Sequence, residues 1–521
     1  MENSQEDHTP SVAMPTEFLA KRPSEGSEDS SHFEKEVDLM EIHEKLLVNN
    51  QEVQQVLGNG GLSKEEIQRE VTAKNEYAKE LLEAMRDQII ECYQMIENNA
   101  VKKVQGVEER KDVDLSVQES YQDCDDELDR VSEQFSGMIR LGLPVKRTVV
   151  KYQIFKIIKA FVGKDLTKSS LPVFLNEPLS LLQRMSEVAK FIHLIEKAMR
   201  FTDPNLKLAY IGLWAASNFA GTRQRLFKPF NPILGETFEL ECANFKLYGE
   251  QYSHHPPIGV IFIDAPKFTL RVSSCYKTSF WGKYIDLVPT SPIVIECKET
   301  GEIYECFMPK SCIQNIIIGN MYIDHYGIIK IINRSTKKKF ELNISGFSGW
   351  FKKADQRGRV TGTLYEKEGD QEPIVEIRGN WDDQLSLKYY KSKHPRFQKI
   401  WKKDPEPKNW DDIYKLSIFS LQLNKISKKN KRTLPPTDSR FRPDQRALEN
   451  GDLDLAETEK KRLEEKQRQE KKQRDANEEE YKPRYFQQVV VDRVDTQGTY
   501  EDYVPCCDYW KEKANFTLNI F

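Results

Sequence analysis

Two adjacent histidines followed by two adjacent prolines form a segment with clear chemical potential, His254-His255-Pro256-Pro257. A proline fixes φ and lacks a backbone N–H, so a strand that precedes it has to end there. The residue before a proline is also biased toward extended geometry. The segment can therefore present two imidazoles and backbone N–H groups to a ligand from a rigid corner. It could equally be a strand end with two exposed histidines.

Glu250 lies four residues before His254, and this spacing raises the question of a metal site. Successive side chains on an extended strand point to opposite faces, so we expect His254 and His255 not to chelate one ion. The sequence has no third ligand at a recognised zinc spacing. It also lacks a nucleophile elbow, a phosphate-cradling glycine loop and a carboxylate pair of fixed spacing. We therefore predict neither an enzyme nor a bound metal or other cofactor.

A second candidate set lies on a highly charged segment, residues 452–477, which we predict to be a helix. Lys460, Glu464 and Arg468 are spaced i, i+4, i+8 and share one helical face. The simplest interpretation is salt bridging on a solvated face. Elsewhere, Lys228 and Asn231 offer an ammonium and an amide that could contact an anion.

Short alternating runs between residues 227 and 389 predict the elements that position these side chains. Examples are residues 237–241, 269–273 and 293–296, with turn signals between the runs. Many short antiparallel strands at this spacing indicate a barrel or a large sandwich. Residues 181–225 have helical periodicity instead. The predicted fold class is α+β and mainly β.

Four segments resemble the sequence blocks of the oxysterol-binding protein family, the lipid-transfer proteins of membrane contact sites. In chain order they are Leu171–Ser180, Lys228–Glu236, Glu250–Pro257 and Leu434–Asp444. Tyr252 departs from the pattern, since the family usually has valine there. The resemblance covers roughly residues 143–486. It implies a large incomplete antiparallel β-barrel with a lipid tunnel, an N-terminal lid helix and flanking helices.

The resemblance also implies a binding site for phosphatidylinositol 4-phosphate. The residues that match the family's headgroup-binding positions are Lys228, Asn231, His254, His255, Lys460, Glu464 and Arg468. The histidines match the pair that binds the 4-phosphate, and an imidazole with an ordinary pKa of about 6.5 can gain a proton beside a phosphate. Glu464 would orient the two helix cations and bond an inositol hydroxyl.

The second lipid is expected to be a sterol or phosphatidylserine. Residues 176–184 are similar to the version of the first block found in sterol-handling members, which favours a sterol. The predicted function is therefore non-vesicular transfer that exchanges phosphatidylinositol 4-phosphate for this second lipid between membranes. A lipid-sensing scaffold or tether without net transfer is the alternative.

Residues 149–162 are predicted to form a basic amphipathic helix with lysines on one face. The apolar face includes Ile154, Ile157, Ile158 and Phe161. Such a helix normally covers a core. At this position in the family it resembles the lid that closes over bound lipid, and its basic face could approach anionic lipid.

The predicted organisation has five parts: 1–31 disordered, 32–105 helical or coiled coil, 106–142 an acidic linker, 143–486 the lipid-binding domain, and 487–521 a tail. The helical part could mediate self-association or targeting, or pack on the large domain. Residues 120–126 resemble the acidic tract by which relatives dock onto an endoplasmic-reticulum receptor. Gln122 replaces its second aromatic residue, and a solvated linker is the alternative.

The net charge of −4 over 521 residues argues against nucleic acid as a partner. Nine scattered cysteines without a CxxC pair are typical of a reducing compartment. The sequence contains no run of about 18 apolar residues that could span a bilayer. We therefore expect a cytoplasmic protein that binds membrane surfaces peripherally at contact sites.

Overall fold

The computed structural model describes residues 49, 52–53, 63, 67–78, 127–135, 139–148, 171–281, 283–316, 321–346, 357–367, 369–428, 430–515 and 520–521. The chain divides into two compact units, Met1–Tyr121 and Gln122–Phe521. In the first unit, residues 67–78 are helical. Asn49 Nδ2 donates to the Lys74 carbonyl oxygen at 2.9 Å, and Lys74 Nζ lies 2.5 Å from Glu52. These contacts join two helical segments, while the coiled coil and the five-part organisation stay predictions.

The second unit is built on a large antiparallel sheet. The strands in the described residues are β1 (Asn176–Ser180), β2 (Lys228–Phe230), β3 (Thr237–Glu241), β4 (Lys246–His254), β5 (Pro257–Asp264), β6 (Phe268–Ser273), β7 (Tyr276–Phe280), β8 (Ile285–Pro289), β9 (Ile293–Cys297), β10 (Ile303–Phe307), β11 (Lys310–Gln314), β12 (Tyr322–Asn333), β13 (Lys339–Ile344), β14 (Arg359–Tyr365), β15 (Pro373–Asn380), β16 (Gln384–Tyr389), β17 (Gln398–Lys402), β18 (Phe486–Asp492) and β19 (Thr499–Pro505).

Fifteen of these strands form the sheet, in the order β17-β16-β15-β14-β13-β12-β10-β9-β6-β5-β4-β3. β11, β8 and β7 branch from β12 in that order. Within the described residues no pairing joins β3 to β17, so the sheet curves without closing. The predicted fold class, an incomplete antiparallel barrel with flanking helices, is confirmed. β1 and β2 form a separate parallel pair, and β18 and β19 form a hairpin.

Alternation of side chains explains why these runs become strands. In β6, Phe268, Leu270 and Val272 are buried, while the residues between them are half-buried. A period of two places one set of side chains on the core face, so the apolar set fixes the register.

The helices cover the sheet and its edges. They are α1 (Glu127–Phe135), α2 (Leu181–Met185), α3 (His193–Ala198), α4 (Pro204–Ser217), α5 (Ile418–Leu423), α6 (Pro443–Glu449), α7 (Leu453–Ala476) and α8 (Tyr509–Glu512). None of the described helices is both long and apolar enough to cross a membrane.

α4 is the central core helix, and all but two of its 14 residues are buried. It begins after Asp203, whose side chain accepts a hydrogen bond from the Asn205 N–H, with Pro204 in the first turn. A Cβ added at Gly212 would lie 3.0 Å from Leu342 Cδ1 on β13. A glycine therefore lets this helix approach the sheet closely.

The fourth family-like block covers the exposed edge of β3. Thr237 N donates to the Thr437 carbonyl oxygen at 2.9 Å, and Arg440 Nη2 donates to that of Glu239 at 2.8 Å. An unpaired edge strand is a template for association with other chains. This block therefore protects one end of the open barrel.

The residues after 486, for which no structure was predicted, pack onto the sheet. The rings of Tyr509 and Tyr248 stack with centroids 4.4 Å apart, and Tyr509 Oη donates to Glu239 at 2.6 Å. Arg271 on β6 binds Asp502 at 3.0 Å. This segment is part of the folded unit.

Three predictions lie outside the described residues. They are the disordered segment 1–31, the lid helix with Ile154, Ile157, Ile158 and Phe161, and the acidic tract 120–126. α1 begins directly after this tract, at Glu127.

Candidate ligand-binding site

The two histidines lie at a tight corner between β4 and β5. β4 ends at His254 and β5 begins at Pro257, so the strand stops where the prolines predict. The histidine rings lie with centroids 4.6 Å apart. The expectation that they point to opposite faces is wrong, because His255 lies in the turn and not in the strand. Both imidazoles therefore face the same space.

That space is a cavity of about 330 Å³. All seven side chains matched to headgroup positions line it: Lys228, Asn231, His254, His255, Lys460, Glu464 and Arg468. The other lining residues are Leu171, Asn176, Phe230, Ile233, Arg442, Leu463, Gln467, Lys471 and Arg474. The structure thus brings together residues separated by more than two hundred positions, while their role in binding stays a prediction.

β2 and the loop after it form one wall of the cavity. Lys228 Nζ donates to Asn231 Oδ1 at 2.9 Å. Asn176 Nδ2 donates to the Lys228 carbonyl oxygen at 3.1 Å, and Arg442 Nη1 donates to that of Asn231 at 2.7 Å. The backbone that carries the first cation and amide is therefore fixed from both sides.

The protein around Lys228 lowers the pKa of its ammonium group. The residue is exposed to solvent in the open cavity, yet the protein wall around its ammonium excludes much of the water. This desolvation is the largest cause of the shift, and repulsion from Lys460 adds to it. The pKa of Lys228 therefore falls to about 8, although the attraction of Glu464 acts in the opposite direction. An anion bound next to Lys228 would stabilise its charged form.

The opposite wall is the charged helix α7, which matches the predicted helix. Its buried residues, Ala456, Lys460, Leu463 and Gln467, recur at helical spacing and face the cavity side. Lys460 Nζ donates to the Leu171 carbonyl oxygen and lies 3.4 Å from Glu464.

Glu464 lies between the two predicted helix cations. Its carboxylate is 3.4 Å from Lys460 Nζ and 3.6 Å from Arg468 Nη2. Arg468 also bonds Glu465 at 3.1 Å. Because Glu464 lines the cavity together with both cations, it can hold them in place and accept a hydrogen bond from a ligand.

Three lining cations were missed from the sequence: Arg442, Lys471 and Arg474. Lys471 and Arg474 continue the face of α7 that begins at Lys460, so extending the helical spacing beyond Arg468 could have found them. Arg442 lies in the fourth block, and no local pattern separates it from a structural arginine.

Arg442 is already neutralised by its neighbours. Its guanidinium binds Glu236 at 3.0 Å and Asp444 at 2.8 Å. Burial raises the pKa of Glu236, and Arg442 only partly offsets that effect. The other lining cations are Lys228, Lys460, Arg468, Lys471 and Arg474, and the one remaining lining carboxylate is that of Glu464. Lys471 also binds Asp475, outside the lining, at 2.6 Å. This imbalance suits a ligand with several negative charges.

The surroundings of His254 favour its neutral imidazole form. Burial lowers its pKa to about 4, with further contributions from His255 and Arg474. Its Nδ1 atom is buried and has no hydrogen-bond partner among the described residues. A phosphate would supply both a partner and a negative charge, since an opposite charge favours the protonated imidazole.

Glu250 serves the fold and not the cavity. Its buried carboxylate accepts hydrogen bonds from the backbone N–H groups of Arg484 and Tyr485, both at 3.0 Å. Burial raises its pKa against these bonds. Glu250 is therefore turned away from the histidines, and the described residues contain no cluster of three potential metal ligands.

Glu177 of the first block belongs to a separate, largely buried cluster of charged residues, named here the Glu177 cluster: Glu177, Arg184, Glu187 and Arg225. Arg225 binds Glu177 through two bonds of 2.7 and 2.8 Å and Glu187 through two of 2.8 Å. Arg184 adds a bond of 3.0 Å to Glu177. Burial alone would raise the pKa of Glu177, but Arg184 and Arg225 outweigh it and the pKa is lowered.

Comparison with protein families gives one match that covers most of the chain. The family model of the oxysterol-binding proteins matches residues 153–514. The chain is 34% identical over 351 residues to oxysterol-binding protein-related protein 3 of Homo sapiens, which covers 67% of this chain and 39% of the relative. It is 34% identical over 380 residues to oxysterol-binding protein-related protein 1 of Rattus norvegicus, covering 65% and 40%. The chain thus spans about two fifths of the length of these relatives.

Two solved structures have a similar fold. The Osh1 ORD domain in complex with ergosterol is 30% identical with a TM-score of 0.64, covering 74% of this chain and 95% of that chain. The Osh3 ORD in complex with PI(4)P from Saccharomyces cerevisiae is 28% identical with a TM-score of 0.62, covering 73% and 96%. The similarity therefore covers nearly all of each ORD domain and about three quarters of this chain.

Proposed function

This chain belongs to the oxysterol-binding protein family, and we propose that it binds phosphatidylinositol 4-phosphate in the cavity and exchanges it for a sterol between membranes. The observation that carries this proposal is the cavity itself, in which all seven matched residues meet. The excess of positive charge suits a phosphorylated inositol. The similar structures contain PI(4)P in one case and ergosterol in the other, which supports both ligands.

We assign the 4-phosphate to the corner formed by His254 and His255. The buried Nδ1 of His254 lacks a partner among the described residues, and a phosphate oxygen would accept a hydrogen bond from it once protonated. Lys228 and Asn231 would contact the phosphate on one side of the headgroup. Lys460 and Arg468 would contact it from the helix, with Glu464 accepting an inositol hydroxyl.

The first block favours a sterol over phosphatidylserine. A phosphatidylserine carboxylate needs a cationic partner when buried. The two arginines of the Glu177 cluster are already bound to carboxylates at 2.7 to 3.1 Å. A sterol has one hydroxyl and needs only a largely apolar site with one polar contact.

Extraction of lipid from vesicles tests the proposal. Wild-type protein should remove phosphatidylinositol 4-phosphate from vesicles at one lipid per chain, and added sterol should displace it. The double variant His254→Ala/His255→Ala should lose extraction while its circular dichroism is unchanged. As a control, His394→Ala changes an exposed histidine outside the cavity lining and should extract normally. Equal extraction by the double variant would contradict the site.

The second lipid is decided by mass spectrometry of the lipids that co-purify with the protein. Co-purified sterol supports the proposed exchange. Enriched phosphatidylserine with no displacement by sterol would replace the second lipid and leave the first in place. Binding of both lipids without transfer between vesicles would favour a scaffold or tether.

We further propose that the protein is a lipid carrier without catalytic activity and that it acts peripherally at membrane contact sites. The family assignment supports this role. The lid helix, an endoplasmic-reticulum receptor bound through residues 120–126, and self-association through the N-terminal helical part belong to the same proposal and call for separate tests.

A further inference from the structure

An arm formed by β7 and β8 leaves the main sheet between β6 and β9, and β11 connects it to β12. β7 pairs with β8, and β8 pairs with β11. All five residues of β7 are exposed, although a strand in a sheet normally buries at least one face. At the end of the arm, Phe280 is 41% exposed and Trp281 is 62% exposed. Two large aromatic side chains at the end of the arm are therefore exposed to water.

The arm projects from the same end of the sheet as the cavity. β6 runs back toward the histidine corner, where Ser274 N donates to the Gly259 carbonyl oxygen at 2.9 Å. β5 starts two residues earlier, at Pro257, beside His255. β12 continues from the main sheet into the arm: Lys330–Asn333 pair with β10, and Tyr322–Tyr326 pair with β11. At about 3.3 Å per residue, β7 carries its tip roughly 15 Å beyond that end.

The surface of the arm is positively charged as well as aromatic. Lys277 and Lys283 are exposed. Asp286 is the one acidic residue between 276 and 289, and it is buried and bound to Lys310 at 3.2 Å. The rings of Trp281 and Tyr284 stack with centroids 6.4 Å apart. Tryptophan and tyrosine prefer the interface between water and lipid, and lysines are attracted to anionic headgroups.

We propose that this arm is a membrane-docking surface that inserts Phe280 and Trp281 into the interfacial layer of an anionic bilayer. Its position would bring the mouth beside His254 and His255 toward that bilayer. The inference rests on the proposed function, because a lipid can be extracted only if the cavity is brought to a membrane. The arm is the part of the surface that we infer makes this membrane contact.

Flotation with vesicles of phosphatidylcholine and phosphatidylserine measures how much the arm contributes to membrane binding. These vesicles contain no phosphoinositide that could bind in the cavity. The full chain should float with these vesicles. Phe280→Ser/Trp281→Ser should reduce binding by about tenfold or more, because two aromatic side chains no longer leave water on docking. Val490→Ser is the matched control, since Val490 is 68% exposed on β18, which is not part of the arm, and its binding should equal wild type.

Binding of a water-soluble, short-chain phosphatidylinositol 4-phosphate separates this inference from the proposed function. The arm variant should bind the short-chain lipid normally, which also shows that it is folded. His254→Ala/His255→Ala should lose the short-chain lipid and still float. Flotation without short-chain binding by wild type would contradict the proposed function and leave the docking surface in place. An arm variant that floats like wild type, or a wild type that does not float, would overturn the docking surface.

Discussion

The cavity and the Glu177 cluster are both rich in arginine, lysine and glutamate, but they differ in charge balance. In the Glu177 cluster, Arg225 is 1% exposed and two carboxylates bind it at 2.7 and 2.8 Å. In the cavity, five lining cations share one lining carboxylate, that of Glu464, although Arg468 also binds Glu465 at 3.1 Å and Lys471 binds Asp475 at 2.6 Å. A balanced buried cluster completes its own hydrogen bonds and stabilises the fold. An unbalanced cluster at a cavity wall is left to be completed by a ligand.

The largest expected effect comes from breaking the balanced cluster. Arg225→Met would leave the buried carboxylates of Glu177 and Glu187 without their shared partner. Removing one member of a buried ion pair typically costs about 3–5 kcal/mol. Urea unfolding of the full chain should show this loss. Arg223→Met is the control, because Arg223 is 35% exposed in its ion pair with Asp382 and should cost about 1 kcal/mol or less. Equal losses would contradict the contrast.

The unbalanced cluster should respond in ligand binding and not in stability. Arg468→Gln removes a cavity cation whose side chain is 58% exposed. The free energy of unfolding should therefore change by about 0.5 kcal/mol or less. Affinity for short-chain phosphatidylinositol 4-phosphate should fall about tenfold or more, since hydrogen bonds to charged groups contribute about 1.5–3 kcal/mol.

Arg462→Gln is the matched control for that experiment. Arg462 lies on the same helix, pairs with Glu459 at 2.7 Å and does not line the cavity. Isothermal titration at fixed salt should give wild-type affinity for this variant. A similar loss in both variants would mean that general helix charge, and not the cavity, attracts the ligand.

The smallest expected effect is a difference in pH dependence. The pKa of His254 in the folded protein is about 4, below its ordinary value of 6.5. The unfolded chain therefore takes up this proton first as pH falls, so His254 lowers stability between about pH 6.5 and pH 4. The pKa of Glu177 is lowered from 4.5, so its contribution is complete above about pH 4.5 and is lost only as pH falls further.

Urea unfolding of wild type and His254→Gln at several pH values between 7 and 5 checks this difference. Wild type should lose more stability than the variant over that range. Identical pH dependence in the two proteins would show that His254 is protonated as easily in the cavity as in the unfolded chain.

Local rules predicted several elements of this structure. The two prolines predicted that β4 ends at His254, and the highly charged segment 452–477 predicted α7. The relation of the two histidine rings was not predicted, because His255 belongs to a turn that strand alternation does not describe. Tyr252, the departure from the family pattern, packs against Tyr503 with centroids 4.8 Å apart. That partner lies in a hairpin distant in sequence, which no local pattern could supply.

The hydrogen bonds of Glu250 also constrain when this protein can fold during its synthesis. Its carboxylate accepts a hydrogen bond from the N–H of Tyr485, which is synthesised 235 residues later. At ribosomal rates of about 5–20 residues per second, Glu250 is synthesised about 12 to 47 seconds before Tyr485. The N–H of Thr237 on the edge of β3 likewise stays without its acceptor until Thr437 is synthesised, 200 residues later. During that interval the nascent sheet has an open edge and an unsatisfied carboxylate, so the barrel unit can finish folding only after its last segment leaves the ribosome.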